Sequence, residues 1–244
     1  MVLVLDLFVG IVDVSVYYFI SKTFEGAPTA SLAPATSYFA FALVGIALTT
    51  VINATSAGVA NRIREEQLTG TLEALVTQPV SALEMAVGMC GLPFLFASIR
   101  VCIYLLVGGG LLGVDFSDAN WVGFALVLTF TAVTMSAVGI TTAGAVMVLK
   151  RGQTIAALII FGMGLLGGAF FPVSVLPDWL ETLGRVVPPR FAFDGLRQAL
   201  YAGDDWQVDA LVLFGYSLVL VPLAVWLFDR AIRYCRRSGS LAQY

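Results

Sequence analysis

Long, nearly uninterrupted apolar runs constrain this chain more than any other feature. Six of them cover residues 1–20, 35–60, 86–112, 121–149, 154–171 and 210–228, and charged residues are confined almost entirely to the gaps. A bilayer core needs roughly 20 consecutive apolar residues per helical span, so the pattern predicts an all-α integral membrane protein with six transmembrane helices. Of the 244 residues 59% are hydrophobic and only 12% charged, about half the charged share of a soluble domain. A β-barrel would alternate polar and apolar residues in segments of about ten, whereas these runs are continuous and rich in Leu, Val, Ala and Gly. The first run carries Asp6 and Asp13 and lacks a basic leader or small-residue cleavage site, so it reads as a span and not as a removed signal.

Loop charges set the expected orientation. With alternate loops on opposite sides, one side holds Arg62, Arg64, Lys150, Arg151, Arg230, Arg233, Arg236 and Arg237, and the other holds Lys22, Arg185, Arg190 and Arg197. Short loops rich in Lys and Arg stay in the cytoplasm. Both termini and residues 61–81 are therefore expected inside, and residues 172–208 outside. In the latter segment Pro177 and Asp178 suit a first helical turn, Trp179, Leu180 and Leu183 form an apolar stripe, and a second short helix is expected between Phe191 and Tyr201, ending before Gly203. Trp179, Phe191 and Phe193 are expected in the interfacial belt.

Much chemistry is excluded by what the chain lacks. It has no histidine, which removes the usual zinc sets and the Ser-His pairing of most serine hydrolases. Cys90, Cys102 and Cys235 show no metal or disulfide spacing. Neither Lys22 nor Lys150 sits in a phosphate-cradling Walker A loop, so no catalytic residue, metal site or cofactor site is assigned. Nothing points to nucleic acid.

Charges inside the bilayer need partners. Arg100 falls near the middle of the third run, where an isolated charge costs about 2.5 to 3.5 kcal/mol. Asp13 lies at comparable depth in the first, so an Asp13–Arg100 pair is expected, with Asp6 seven residues earlier along the same helix. Gly164/Gly168 and Gly109/Gly113 have the G-x-x-x-G spacing of close helix contacts, and Thr131, Thr134 and Thr141 put hydroxyls on the fourth run for bonds to neighbouring helices.

Residues 61–81 are a polar interruption between two spans. Arg62 can meet Glu65 or Glu66 along one helical face, Gly70 permits a bend, Leu72, Leu75 and Val76 give a short apolar-faced helix, and Pro79 stops it. Ser81 and Glu84 have capping-box spacing before the third span.

At this point the chain resembles the type-2 membrane permeases of ATP-binding-cassette exporters. The resemblance rests on Ile63-Arg64-Glu65-Glu66 leading to Gly70-Thr71-Leu72-Glu73-Ala74-Leu75, on Thr77-Gln78-Pro79-Val80-Ser81, and on Phe170-Phe171-Pro172 followed by Leu176-Pro177 and Pro188-Pro189. It covers nearly the whole chain and implies one permease domain over residues 1–244, paired with an identical or different second permease and bound to two ATP-binding subunits. ATP and Mg would reside on those partners, in the plasma membrane. It also implies a coupling helix formed by Gly70, Thr71, Leu72, Glu73, Leu75 and Val76, and a path for a drug, lipid or glycan lined by spans two and five, with Thr49, Asn53 and Phe161 as candidates. Such permeases begin with an amphipathic elbow helix, whereas this sequence starts at the first span. Two alternatives share the topology: a membrane scaffold without transport, and an ion-coupled carrier using Asp6, Asp13 and Arg100.

Overall fold

The computed structural model describes residues 2–23, 32–71, 82–148 and 152–238. Every regular element among them is helical: α1 Val2–Thr23, α2 Tyr38–Ile52, α3 Gly58–Thr69, α4 Ala82–Gly110, α5 Trp121–Val148, α6 Gly152–Leu166, the short α7 Asp178–Gly184 and α8 Pro188–Arg197, and α9 Trp206–Ser238. A five-residue π turn, Asn53–Ala57, joins α2 to α3, and a second, Gln198–Ala202, follows α8. Among the described residues, four helical stretches are long and apolar enough to cross a membrane: Tyr38–Glu66, Val87–Gly110, Trp121–Val148 and Trp206–Tyr234. Helix α1 has 22 residues. With 15 residues, α6 is about 22 Å long, less than a bilayer core of about 30 Å.

The ends of these helices follow from local chemistry. Ser37 Oγ accepts from the Ala40 amide at 3.1 Å and caps α2, and Asn120 Oδ1 does the same for α5 through Gly123 at 2.9 Å. Pro188 and Pro189 open α8, where a missing amide costs nothing. The apolar run containing α6 continues to Phe171, but the helix stops at Leu166 because Gly167 and Gly168 follow, the latter at φ 81°, where only glycine is unstrained.

Two compact units contain the chain. The first comprises Met1–Val51, Ala97–Thr131 and Met163–Leu213; the second comprises Ile52–Phe96, Ala132–Gly162 and Phe214–Tyr244. In the first, Phe193, Leu196, Leu200 and Leu213 are fully buried, and Leu32, Ala35, Ala40 and Phe41 form a cluster with Tyr38, Val114 and Tyr201. In the second, Val59, Ala60 and Ile63 of α3 pack with Ala137, Ile140, Ala143, Val146 and Met147 of α5 and with Ala224, Phe228 and Ile232 of α9.

Two of the threonine hydroxyls on α5 bond within their own helix. Thr131 Oγ1 donates to the Val127 carbonyl at 2.7 Å and Thr141 Oγ1 to that of Ala137 at 2.9 Å, which replaces the expected bonds to neighbouring helices for these two. Three of the four G-x-x-x-G glycines also serve differently from expectation; the fourth, Gly109, lies close to Phe116. Gly168 and Gly113 have positive φ and turn the chain, and no described atom lies within 4 Å of a Cβ built on Gly164. Close approaches to backbone occur elsewhere: a Cβ on Gly45 would lie 1.9 Å from the Ala169 carbonyl oxygen, and one on Gly139 would lie 2.7 Å from that of Thr55.

Candidate functional site

Helix α3 leads into the polar interruption. Its side chains form the expected ion pair, Arg62 Nη2 to Glu66 Oε1 at 3.1 Å. The helix then ends in a Schellman turn. Gly70 takes φ 74° and the Thr71 amide reaches back to the Glu66 carbonyl at 3.0 Å, while the Thr71 hydroxyl donates to the Glu66 carboxylate. One glutamate thus receives both the backbone and the side chain of the residue that turns away. Leu72, Glu73, Leu75 and Val76 lie outside the described residues. Helix α4 resumes at Ala82, where the Ser81/Glu84 spacing predicts a start.

The other sequence-based candidates lie on α1, α2, α4, α6 and the π turn after α2. Asp13 is exposed on α1 and Arg100 half-buried on α4, both within the first unit. Asp6 is in α1, but its side chain is not among those described. Thr49 is half-buried on α2, with its Oγ1 lacking a hydrogen-bond partner among the described residues. Asn53 is exposed at the head of the π turn, and Phe161 is 70% exposed on α6.

A residue that sequence reasoning did not single out is a buried and heavily engaged charge. Arg197, at the end of α8, is 2% exposed. Its Nη2 donates to the carbonyl oxygens of Gly168 at 2.9 Å, Ala169 at 3.2 Å and Phe41 at 3.4 Å. The guanidinium carbon lies 3.5 Å above the Phe41 ring centroid and 5.5 Å from that of Phe193. Its carboxylate neighbour, Asp194, stands 3.9 Å away and also meets Arg190 at 3.5 Å. Burial lowers the Arg197 pKa to about 10, with Asp194 pulling the other way, so the side chain stays charged at neutral pH.

Around this charge the same polar logic repeats. Tyr201 Oη donates to the Ala40 carbonyl at 2.7 Å while its ring stacks on Phe116 at 5.9 Å, and Tyr38 Oη donates to the Phe170 carbonyl at 3.3 Å. Phe193 is fully buried beneath the guanidinium, contrary to the interfacial position expected for it, because α8 turns its apolar stripe inward. Trp179 is 65% exposed. The missed signal is legible in retrospect. Phe193, Leu196, Arg197 and Leu200 fall at i, i+3, i+4 and i+7, so a cation stands inside the buried face.

Comparison with known proteins decides among the readings that share this architecture. Residues 2–201 match the ABC-2 type transporter membrane family. The chain belongs to that family. It is 25% identical to the inner membrane transport permease YadH of Escherichia coli K12 over 188 residues, 76% of this chain and 71% of that one. It is also 23% identical to the linearmycin resistance permease protein LnrN of Bacillus subtilis 168 over 182 residues, covering 73% of this chain but 46% of LnrN. The ABC-2 permease is accordingly a multi-pass plasma-membrane protein, a membrane subunit that works with an ATP-binding-cassette partner. Family membership favours neither the scaffold nor the ion-coupled carrier.

Proposed function

We propose that this ABC-2 permease is the translocating subunit of an ATP-driven exporter that moves an amphiphilic cargo outward. It crosses the membrane six times, α1 and the short α6 included, with both termini in the cytoplasm. Two permease subunits assemble with two ATP-binding subunits, which hold ATP and Mg. The coupling element is the segment from Gly70 to Val76, and nucleotide binding draws the two copies of it together in a rigid-body transition. Asp13 and Arg100 form an intramembrane clasp, and Thr49, Asn53 and Phe161 face the path.

The observation that carries this reading is the end of α3. A charged helix stabilised by Arg62–Glu66 is terminated by the left-handed Gly70 and the Glu66-bound Thr71, so the helix ends in a defined turn at the head of the proposed coupling element. A lever needs such a defined joint. The name of LnrN, a resistance permease, is compatible with outward transport.

The test is co-purification with the ATP-binding subunit and measurement of ATP turnover. Gly70→Val forces a β-branched residue into the left-handed region, at about 1 to 3 kcal/mol, and Glu73→Lys reverses a charge in the coupling element. Both variants should insert normally yet lose at least about tenfold in partner affinity, some 1.4 kcal/mol, or lose permease-dependent ATP turnover. Full coupling in both variants would refute the assignment.

A further inference from the structure

We propose that Arg197 pins the turn that follows α6: a positioning residue that uses a buried guanidinium to bind the carbonyls of Gly168 and Ala169, tying that turn, the start of α2 and α8 into one body. The inference stands apart from the transport reading, since it concerns contacts within the first unit.

When α6 stops at Leu166, the last carbonyls lose the amides that a continuing helix would supply. Some of the local amides turn back, Gly167 to Met163 at 2.9 Å, Gly168 to Leu165 at 3.2 Å and Ala169 to Gly164 at 3.3 Å. These bonds satisfy the Met163, Gly164 and Leu165 carbonyls of α6, and the carbonyls of Gly168 and Ala169, in the turn just beyond the helix, accept from Arg197. A helix C-terminus carries a partial negative charge that favours a cation. Here the cation is brought by a different helix, 28 and 29 residues further along the chain.

The geometry asks for arginine in particular. One flat group must donate to Gly168, Ala169 and Phe41 while lying 3.5 Å above the Phe41 ring. A guanidinium does both, because its donors lie in the plane that stacks; an ammonium supplies charge without the plane. Asp194 stands 3.9 Å away, so the three carbonyls meet the guanidinium at closer range than its carboxylate neighbour does. Backbone contact removes the slack that would let a substitute rearrange. A Cβ on Gly45 of α2 would lie 1.9 Å from the Ala169 oxygen, and one on Gly167 would lie 2.9 Å from Pro189 Cβ. The three elements already touch where Arg197 binds them.

Hydrogen exchange of the full chain in lipid nanodiscs, without any ATP-binding subunit, tests the pin directly. Arg197→Met keeps length and apolar bulk but removes charge and fork; Arg197→Lys keeps the charge alone. Amides of Gly167, Gly168, Ala169 and Val175 should exchange at least about tenfold faster in Arg197→Met and to an intermediate degree in Arg197→Lys, with those of Gly58–Thr69 unchanged. Unchanged exchange at the first four amides overturns the proposal. So does equal acceleration across Gly58–Thr69, which marks a general core residue, or identical behaviour of Lys and Met, which makes charge irrelevant. Should Arg197→Met fail to insert, Phe41→Leu removes only the stacking face and should speed the same amides more modestly; no change there is equally fatal. Loss of ATP coupling bears on the transport reading and leaves these amides untouched.

Discussion

The two compact units of this permease are held together by different physics. The first is organised around a buried charge and side-chain-to-backbone bonds: Arg197 on three carbonyls, Tyr201 on Ala40, Tyr38 on Phe170. The second is organised around small and medium apolar residues, Val59, Ala60, Ala137, Ala143 and Ala224 among them, and its ion pairs Arg62–Glu66 and Arg233–Asp229 lie on solvent-facing sides. The difference matters mechanically. A guanidinium seated on three oxygens has one good geometry, whereas packed aliphatic faces permit small sliding movements at little cost. The unit that leads into the proposed coupling element is the one whose contacts permit shear.

The strongest way to break this contrast is to remove packing from the second unit. Phe228 is 1% exposed within the apolar cluster, and truncation of such a side chain costs about 3 to 5 kcal/mol through lost contacts and a residual cavity. Phe228→Ala should therefore lower the thermal unfolding midpoint in detergent markedly more than any other single change argued here. A loss below about 1 kcal/mol would mean that apolar packing does not hold that unit.

A smaller effect sharpens the other side of the contrast. Gly45→Ala sets a methyl 1.9 Å from the Ala169 carbonyl oxygen, where the end of α6 is already fixed, so relief requires a backbone shift at about 1 to 3 kcal/mol. Gly164→Ala, with no described atom within 4 Å, should be neutral or stabilise slightly through helix propensity. Both glycines belong to the first unit, so equal midpoints for the two variants would show that this unit yields as easily at the Gly45–Ala169 approach as where no neighbour is near.

How much of this was legible in the sequence depends on range. The apolar runs announced helices because periodicity and length are local, and Gly70, Pro188 and Ser37 mark helix ends through chemistry confined to one turn. Arg62–Glu66 was legible for the same reason, being one turn apart. The premature end of α6 hides in Gly167-Gly168, because glycines are frequent in membrane helices and only the backbone angle distinguishes a terminator from a packing notch. The sequence shows Arg197 as a cation on an apolar helix face but does not show what it binds, because its acceptors at Phe41, Gly168 and Ala169 are carbonyls, which any residue supplies. A side-chain partner leaves a trace in sequence; a backbone partner does not.

The smallest expected effect asks whether burial, and not membership of a unit, sets the value of a charge. Glu181 and Arg185 belong to the first unit like Arg197, and their 2.8 Å pair spans one turn at the end of α7, but both are accessible to solvent. The hydrogen bond from Arg185, reinforced by its charge, holds the Glu181 carboxyl below the usual carboxylate range. A depressed folded-state pKa gives a contribution that is complete above the ordinary carboxylate pKa and fades as pH falls through the lowered one. At pH 7 the pair is fully ionised, yet water screens it. Arg185→Ala should therefore return the Glu181 titration, followed by carboxyl carbon NMR, to the ordinary carboxylate range while leaving the unfolding midpoint at pH 7 unchanged within error. If the midpoint instead fell as far as in Gly45→Ala, an exposed charge would matter as much as a tight backbone contact, and burial would no longer explain why Arg197 differs from its neighbours.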